Sequence, residues 1–142
     1  MSGLLRMGVQ EIAIETSGAS PVEWVHQLKM RSHISLVMDY KLPSSEMSRN
    51  MIQSNYQFLR KGDVLKFVCS DLEDAHHSLQ ILNRIRNTHS IVPVIYYHAI
   101  GGVVSKDIAA FVMNNTAHLQ KRFDIRFGTQ LHKMLWGNKR GT

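Results

Sequence analysis

The chain has 142 residues, of which 44% are hydrophobic and 20% charged, a composition typical of a globular domain without low-complexity segments. Its 17 Lys and Arg against 11 Asp and Glu give a formal charge of +6, which favours anionic partners. The single cysteine, Cys69, excludes an internal disulfide and a cysteine-based metal site. No apolar run reaches the roughly 18 residues that a membrane helix needs, and the first residues lack the pattern of a signal peptide. These features predict one domain over residues 1–142, located in the reducing cytoplasm and not in a membrane.

Strands and helices are predicted to alternate along the chain. Apolar and polar residues alternate, or β-branched residues cluster, at 10–16, 33–40, 63–69, 92–100 and 122–128, which predicts five strands. Helical spacing of apolar residues predicts helices at 20–32, 45–60, 71–87 and 105–115, and a short one at 129–136. Ser20-Pro21-Val22-Glu23 reads as a capped helix start, Ser70-Asp71-Leu72-Glu73 as a capping box, and Gly62 as a left-handed helix end.

This alternation predicts an α/β fold, a layered sandwich with a mainly parallel or mixed central sheet of four to five strands and flanking helices. Ligands of such sheets bind beyond the carboxyl ends of the strands. The corresponding edge is predicted to hold residues 16–20, 39–45, 69–71 and 98–102.

A strand ending at Asp39 is followed, at a recognisable spacing, by Gly62-Asp63-Val64-Leu65 and a strand that leads to Asp71. In this pattern residues 33–101 resemble the SirA/TusA family of small sulfur carriers. The resemblance implies a two-layer sandwich of helices on a small mixed sheet. It places Ser45 where the family has its sulfur-carrying cysteine, and Glu46-Met47-Ser48 in place of Pro-x-Pro. Because a hydroxyl cannot carry a persulfide, the resemblance implies the scaffold without the carrier activity.

Three residues are candidates for catalysis at the strand ends. Cys69 lies beside a helix N-terminus, a position that favours the thiolate, although strand alternation places it with Leu65 and Phe67 towards the core. Asp39 and His98 lie near the ends of the second and fourth predicted strands and could converge with it on one edge of the sheet. The nearby Ser44, Ser45 and Ser70 are interpreted as helix caps, and no nucleophile-elbow motif is present.

Residues 121–142 form a basic segment with interleaved aromatic residues, a pattern that suits single-stranded nucleic acid. The candidate nucleic-acid contacts are Arg122, Arg126, Lys133, Lys139 and Arg140. The alternative is an amphipathic strand and helix whose basic side faces water.

The leading hypothesis from the sequence is a non-enzymatic binding or regulatory module on a sulfur-carrier-like scaffold, with nucleic acid or a protein as its partner. One alternative is a sulfur-transfer or other small enzyme that uses Cys69, Asp39 and His98. Another is a structural or assembly subunit whose eight methionines supply contact surfaces. No cofactor is predicted, and no metal site, because the histidines lack ligand spacing. The oligomeric state is left open.

Overall fold

A computed structural model describes residues 2–88, 93–100, 102–129 and 137, and within them five strands form one parallel sheet. The strands are β1 (Ile12–Thr16), β2 (Ile34–Tyr40), β3 (Val64–Cys69), β4 (Val94–Ala99) and β5 (Ile125–Thr129). They lie side by side in chain order, and every neighbouring pair is parallel. The α/β class and the parallel central sheet with flanking helices are therefore confirmed.

In the described ranges, four α-helices connect or precede the strands: α1 (Ser2–Arg6), α2 (Glu23–His26), α3 (Leu72–Thr88) and α4 (Gly102–Thr116). A helix is confirmed at the place predicted for α3, but the predicted capping box of Ser70 and Glu73 is wrong by one residue: the Asp71 carboxylate accepts the Asp74 N–H at 2.9 Å, and the Asp74 carboxylate accepts the Ser70 N–H at 2.9 Å. Helix α3 packs on β3 and on α4, and α4 packs on β4.

Two predicted helices are wrong in extent. The region predicted as one helix at 45–60 forms three short 3₁₀ helices, Pro43–Ser45, Ser48–Asn50 and Gln53–Phe58. The helix predicted at 20–32 is reduced to α2 and a 3₁₀ turn, and its N-cap is Val22 without a side-chain cap. Most of the helix predicted at 129–136 lies outside the described residues, and Thr129 belongs to β5.

The two faces of the sheet differ sharply. One face carries the hydrophobic core, which the helices cover, and its central rows are Met38–Leu65–Ile95 and Tyr40–Phe67–Tyr97. The opposite face contributes no residue to this core cluster of the described residues. We call the opposite face the open face. Its residues are those between the core residues on each strand, such as Ser35, Val37 and Asp39 on β2.

The amino ends of the strands are held together by a buried ion pair. Asp63 Oδ2 lies 2.6 Å from Arg31 Nη2, and the side chains are 2% and 6% exposed. The Asp63 carboxylate also accepts the N–H groups of Leu36 and Arg60, at 2.9 and 2.7 Å. Its own carbonyl accepts the N–H of Val94 at 2.8 Å. One aspartate therefore ties the starts of β2, β3 and β4 at the edge opposite the expected ligand edge.

No helix of the described residues is long and apolar enough to cross a membrane.

Candidate functional site

The centre of the open face is a row of four side chains from four strands. Asp39, Lys66, Tyr96 and Arg126 are register partners across β2, β3, β4 and β5. Register partners of a parallel sheet point to the same face, so these side chains lie next to each other. We call them the polar row. A charged row at the middle of a sheet has no place in a core, which indicates a face that meets water or a ligand.

A cavity of about 340 Å³ opens where the polar row meets the carboxyl ends of β2 and β3. Its walls come from both strands and from the segments that follow them. They are Asp39, Tyr40, Lys41, Leu42, Ser44, Ser45, Lys66, Val68, Ser70 and Ile100. The volume is in the range of small-molecule sites. The prediction that 39–45 and the residues after β3 and β4 share one edge is confirmed for these described residues.

The charges in the cavity are incompletely paired. Lys41 Nζ binds Asp39 Oδ2 at 2.9 Å. The other carboxylate oxygen, Asp39 Oδ1, is buried and has no hydrogen-bond partner among the described residues. Lys66, although it is the register neighbour of Asp39, forms no ion pair with any described residue. As far as the described residues show, the cavity wall therefore has a lysine without an ion-pair partner beside an aspartate with one enclosed, unpaired oxygen.

An aromatic pair lies beside Lys66 on the open face. The Tyr96 and His98 rings have centroids 4.8 Å apart and are inclined at 45°. They lie over Gly128 so closely that a Cβ there would come within 2.7 Å of Tyr96 Cε1 and 3.2 Å of His98 Nε2. We call Tyr96, His98 and Gly128 the aromatic shelf. Only glycine at 128 allows both rings to occupy this position without displacement.

Partial burial and the positive charge of Lys66 lower the pKa of His98 from its ordinary value, against a smaller opposing effect of Asp39. The imidazole is therefore neutral at pH 7. Well above its ordinary pKa of about 6.5, the side chain is uncharged in both the folded and the unfolded chain, and its titration does not affect stability. As the pH falls below 6.5, the unfolded chain binds a proton at this residue before the folded chain does.

We expect the wild-type protein to lose stability relative to His98→Gln as the pH is lowered from 7 to 5. The other seven histidines are common to both proteins and cancel in the difference. Thermal melting of both proteins at a series of pH values measures this difference in stability. A difference in melting temperature that stays constant over this range would show that His98 titrates normally.

The serines at this edge have structural roles. Ser44 Oγ donates to Asp71 Oδ2 at 3.0 Å, and Ser45 Oγ donates to the Leu42 carbonyl at 2.6 Å. The Ser45 hydroxyl also accepts the Met47 N–H at 3.2 Å. These bonds fix the turn after β2. The prediction that Ser44 or Ser45 caps a helix is wrong, because the 3₁₀ helix here has no side-chain cap, and the bonds leave neither hydroxyl next to a histidine base.

Cys69 is separated from the other two candidates of the sequence analysis. It is fully buried on the helix-covered face, whereas Asp39 and His98 are on the open face. Burial, followed by the nearby carboxylates of Asp74 and Asp71, raises the pKa of the Cys69 thiol to about 12. The prediction that Cys69, Asp39 and His98 form one catalytic group is therefore wrong, because strand alternation places the thiol and the two polar side chains on opposite faces of the sheet.

We expect Cys69 in the folded protein to resist thiol reagents at pH 8. With a pKa of about 12, only about one thiol in ten thousand is ionised at that pH. Absorbance with an aromatic disulfide reagent measures the reaction, and the same protein in 6 M guanidinium (roughly the strength that unfolds very stable domains) is the control. Rapid reaction without denaturant would contradict the buried position.

The basic candidates at the end of the chain are only partly described. Arg122 is exposed in the turn before β5, and Arg126 is on the open face, bound to Asp124 at 2.7 Å. Lys133, Lys139 and Arg140 lie outside the described residues. The nucleic-acid surface stays a prediction. Among the described residues no group of three His, Cys, Asp or Glu could hold a metal ion.

Lys66 and Tyr96 are not among the site residues predicted from the sequence. A signal was present, because Lys66 stands between Leu65 and Phe67 in an otherwise apolar strand. A lysine in such a place indicates a face that is not part of the core.

The chain is similar to enzymes. It is 34% identical over 134 residues to a 7-carboxy-7-deazaguanine synthase of Clostridium acetobutylicum, in an alignment that covers 92% of this chain and 56% of the relative. It is 29% identical over 132 residues to the synthase of the same name from Leptospira interrogans, covering 90% of this chain and 50% of that protein. The chain spans about half the length of the curated relatives it matches. No family model matches it, and no solved structure matches it significantly.

These relatives correct the resemblance to the SirA/TusA sulfur carriers, which is wrong. The motif that suggested it, Gly62-Asp63-Val64-Leu65, has a structural explanation, since Asp63 forms the buried pair with Arg31 and Gly62 has the left-handed φ of +95°. The sheet is parallel throughout, whereas the resemblance implied a mixed one. The non-enzymatic binding or regulatory module is also wrong, because the relatives are named as synthases.

Proposed function

We propose that this chain forms part of an enzyme of the 7-carboxy-7-deazaguanine synthase kind, and that its open face binds the deazaguanine ligand. The observation that carries the proposal is the polar row on a sheet face outside the core, next to a cavity at the carboxyl ends of the strands. The similarity of nine-tenths of the chain to synthases of this name supports it.

The arrangement of the strands supports the same proposal. Parallel strands in chain order, with the helices on one face, are the arrangement of βα barrels, in which ligands bind at the carboxyl ends of the strands. The cavity lies at that end, and the buried Arg31–Asp63 pair lies at the other. Binding groups and stabilising groups are thus divided between the two ends of the sheet as in such folds.

The chemistry of the named product fits the groups on the open face. A carboxylated deazaguanine is a planar ring system with an anionic carboxylate and N–H donors. The open face offers the Lys66 ammonium group, which has no ion-pair partner among the described residues, the Asp39 carboxylate and an aromatic surface at Tyr96. Each feature of the ligand therefore has a complementary group within one row of side chains.

We also propose that the protein is located in the cytoplasm, as expected from the sequence. The support for this location is that the single cysteine can form no internal disulfide and is a buried free thiol.

Calorimetric titration of the 142-residue chain with 7-carboxy-7-deazaguanine tests the proposal. We expect saturable binding with one ligand per chain. Benzoate, which has the carboxylate without the heterocycle, is the control and is expected to bind at least about tenfold more weakly, because it lacks the N–H donors and the larger ring. No detectable binding of the deazaguanine, or equal binding of benzoate, would contradict the proposal.

A further inference from the structure

We propose that Lys66 binds the carboxylate of the ligand and that the aromatic shelf stacks against its planar ring system. This inference rests on the proposed function of the open face and assigns roles to particular side chains within it.

Lys66 is the cation of the polar row that has no ion-pair partner in the described part of the chain. Arg126 is held by Asp124 at 2.7 Å, and Lys41 is held by Asp39 at 2.9 Å. Lys66 pairs with no described residue, is half-buried and lines the cavity. An ammonium group in such a position gains most from an anion that enters the cavity, because partial burial removes part of its water and weakens screening.

The aromatic shelf is placed to receive the ring system of the same ligand. Tyr96 is the register partner of Lys66, so their side chains stand roughly 4.8 Å apart on the open face. A ring on Tyr96 therefore brings a substituent at its edge within reach of the Lys66 ammonium group. Because residue 128 has no Cβ, the Tyr96 and His98 rings can both lie against its backbone. Stacking of a base on an aromatic side chain contributes on the order of 1–3 kcal/mol in nucleic-acid complexes.

Asp39 completes the set as the hydrogen-bond acceptor. Its Oδ1 atom is buried without a described partner, while Oδ2 is occupied by Lys41. An unpaired buried carboxylate oxygen is costly, and because Oδ1 is enclosed, a ligand N–H reaches it only when the Asp39 side chain turns towards the cavity that it lines. The three groups together select a ligand that is planar, carries a carboxylate and presents an N–H donor.

A pair of ligands that differ only in the carboxylate tests the role of Lys66. We expect the wild-type chain to bind 7-carboxy-7-deazaguanine roughly 10- to 100-fold more tightly than 7-deazaguanine, the range expected for one charge-assisted contact. Lys66→Met is expected to abolish this preference, and Lys66→Arg to keep most of it. Lys61→Met removes an exposed lysine outside the cavity and is expected to change neither affinity.

A second variant tests the shelf. Gly128→Ala leaves every aromatic and charged group present but forces the Tyr96 and His98 rings to move. We expect it to weaken both ligands by a similar factor, roughly 5-fold or more if stacking is lost. Circular dichroism confirms that each variant is folded before affinities are compared.

The outcomes separate the two proposals. If the wild-type chain binds both ligands equally, or if Lys66→Met keeps the preference for the carboxylate, the role of Lys66 is overturned while the open face remains the binding face. If Gly128→Ala binds both ligands as tightly as the wild type, the shelf is overturned. If the wild-type chain binds neither ligand, the proposed function fails and this inference fails with it. Should Lys66→Met not fold, the wild-type preference and Lys66→Arg decide the question.

Discussion

Replacement of Asp63 by alanine is expected to lower the free energy of unfolding by about 3–5 kcal/mol, the range observed when one partner of a buried ion pair is removed. Arg31 would remain 5% exposed with its positive charge unpaired. The N–H groups of Leu36 and Arg60 would lose their acceptor at the same time. The large effect therefore comes from the groups left behind as much as from the pair itself.

The matched control is Asp124→Ala. Asp124 pairs with Arg126 at 2.7 Å, a distance close to that of the buried pair, but the two side chains are 54% and 58% exposed. We expect this change to destabilise the protein far less than Asp63→Ala does, because water and salt screen an exposed ion pair. Urea unfolding of both variants measures the difference. Equal losses would show that the Arg31–Asp63 pair is not buried as described.

Replacement of Tyr97 by alanine is expected to lower the free energy of unfolding by about 3–5 kcal/mol, as for other large aromatic truncations in a core. Tyr97 is fully buried, and its ring centroid lies 5.3 Å from that of Phe67. Its hydroxyl shares a hydrogen bond of 2.8 Å with Ser78 Oγ. Tyr97→Phe keeps the ring and is expected to lose only about 1 kcal/mol for this bond.

The neighbouring residue gives an unusually close control, because Tyr96 is the same residue type on the same strand and faces the other way. It is half-buried on the open face and outside the core cluster. We expect Tyr96→Ala to cost only about 1–2 kcal/mol, since much less apolar area is removed from contact. Denaturant titration of Tyr96→Ala and Tyr97→Ala compares their losses in the free energy of unfolding. If Tyr96→Ala were as destabilising as Tyr97→Ala, the open face would be a second core surface and not a binding face.

The strands were predictable because each carries a clear local pattern. Alternation in β1 and β5 and the apolar runs of β2, β3 and β4 are typical of strands, and the structure has a strand in each place. The parallel arrangement was predicted from the alternation of strands and helices along the chain. The helix between β3 and β4 is confirmed by α3, whereas the helices predicted at 20–32 and 45–60 are wrong in extent.

The helix predicted at 45–60 was wrong because polar side chains there bind the backbone. The Ser45 hydroxyl donates to the Leu42 carbonyl and accepts the Met47 N–H, which closes a turn where the helix would begin. Asn55 is 1% exposed and spans to another loop, where it donates to the carbonyls of Gly18 and Ser20 and accepts the Val22 N–H. The same contacts explain why Ser20 does not cap α2. Contacts over 33 or more residues leave no local signal in the sequence.

The site was predictable only in outline. Strand order was not needed to place residues 39–45 and 98–100 at one edge, since the carboxyl ends of parallel strands coincide. The polar row depends on register, which pairs Asp39 with Lys66 and Lys66 with Tyr96. Register follows from packing between strands and cannot be read from any one of them. The sequence also does not show that Asp39 forms its ion pair with Lys41. Only the structure shows this pair, and it leaves Lys66 without an ion-pair partner among the described residues.

Tyrosine-selective NMR of the 142-residue chain, titrated with 7-carboxy-7-deazaguanine, tests the central claim that the open face binds the ligand. The chain has four tyrosines; Tyr40, Tyr56 and Tyr97 are buried in the core, and Tyr96 is on the open face. We expect the ring signals of Tyr96 to shift progressively with ligand while those of Tyr97, its neighbour on the other face, stay in place. Shifts confined to the three buried tyrosines, or a Tyr96 signal unchanged at saturation, would contradict the account.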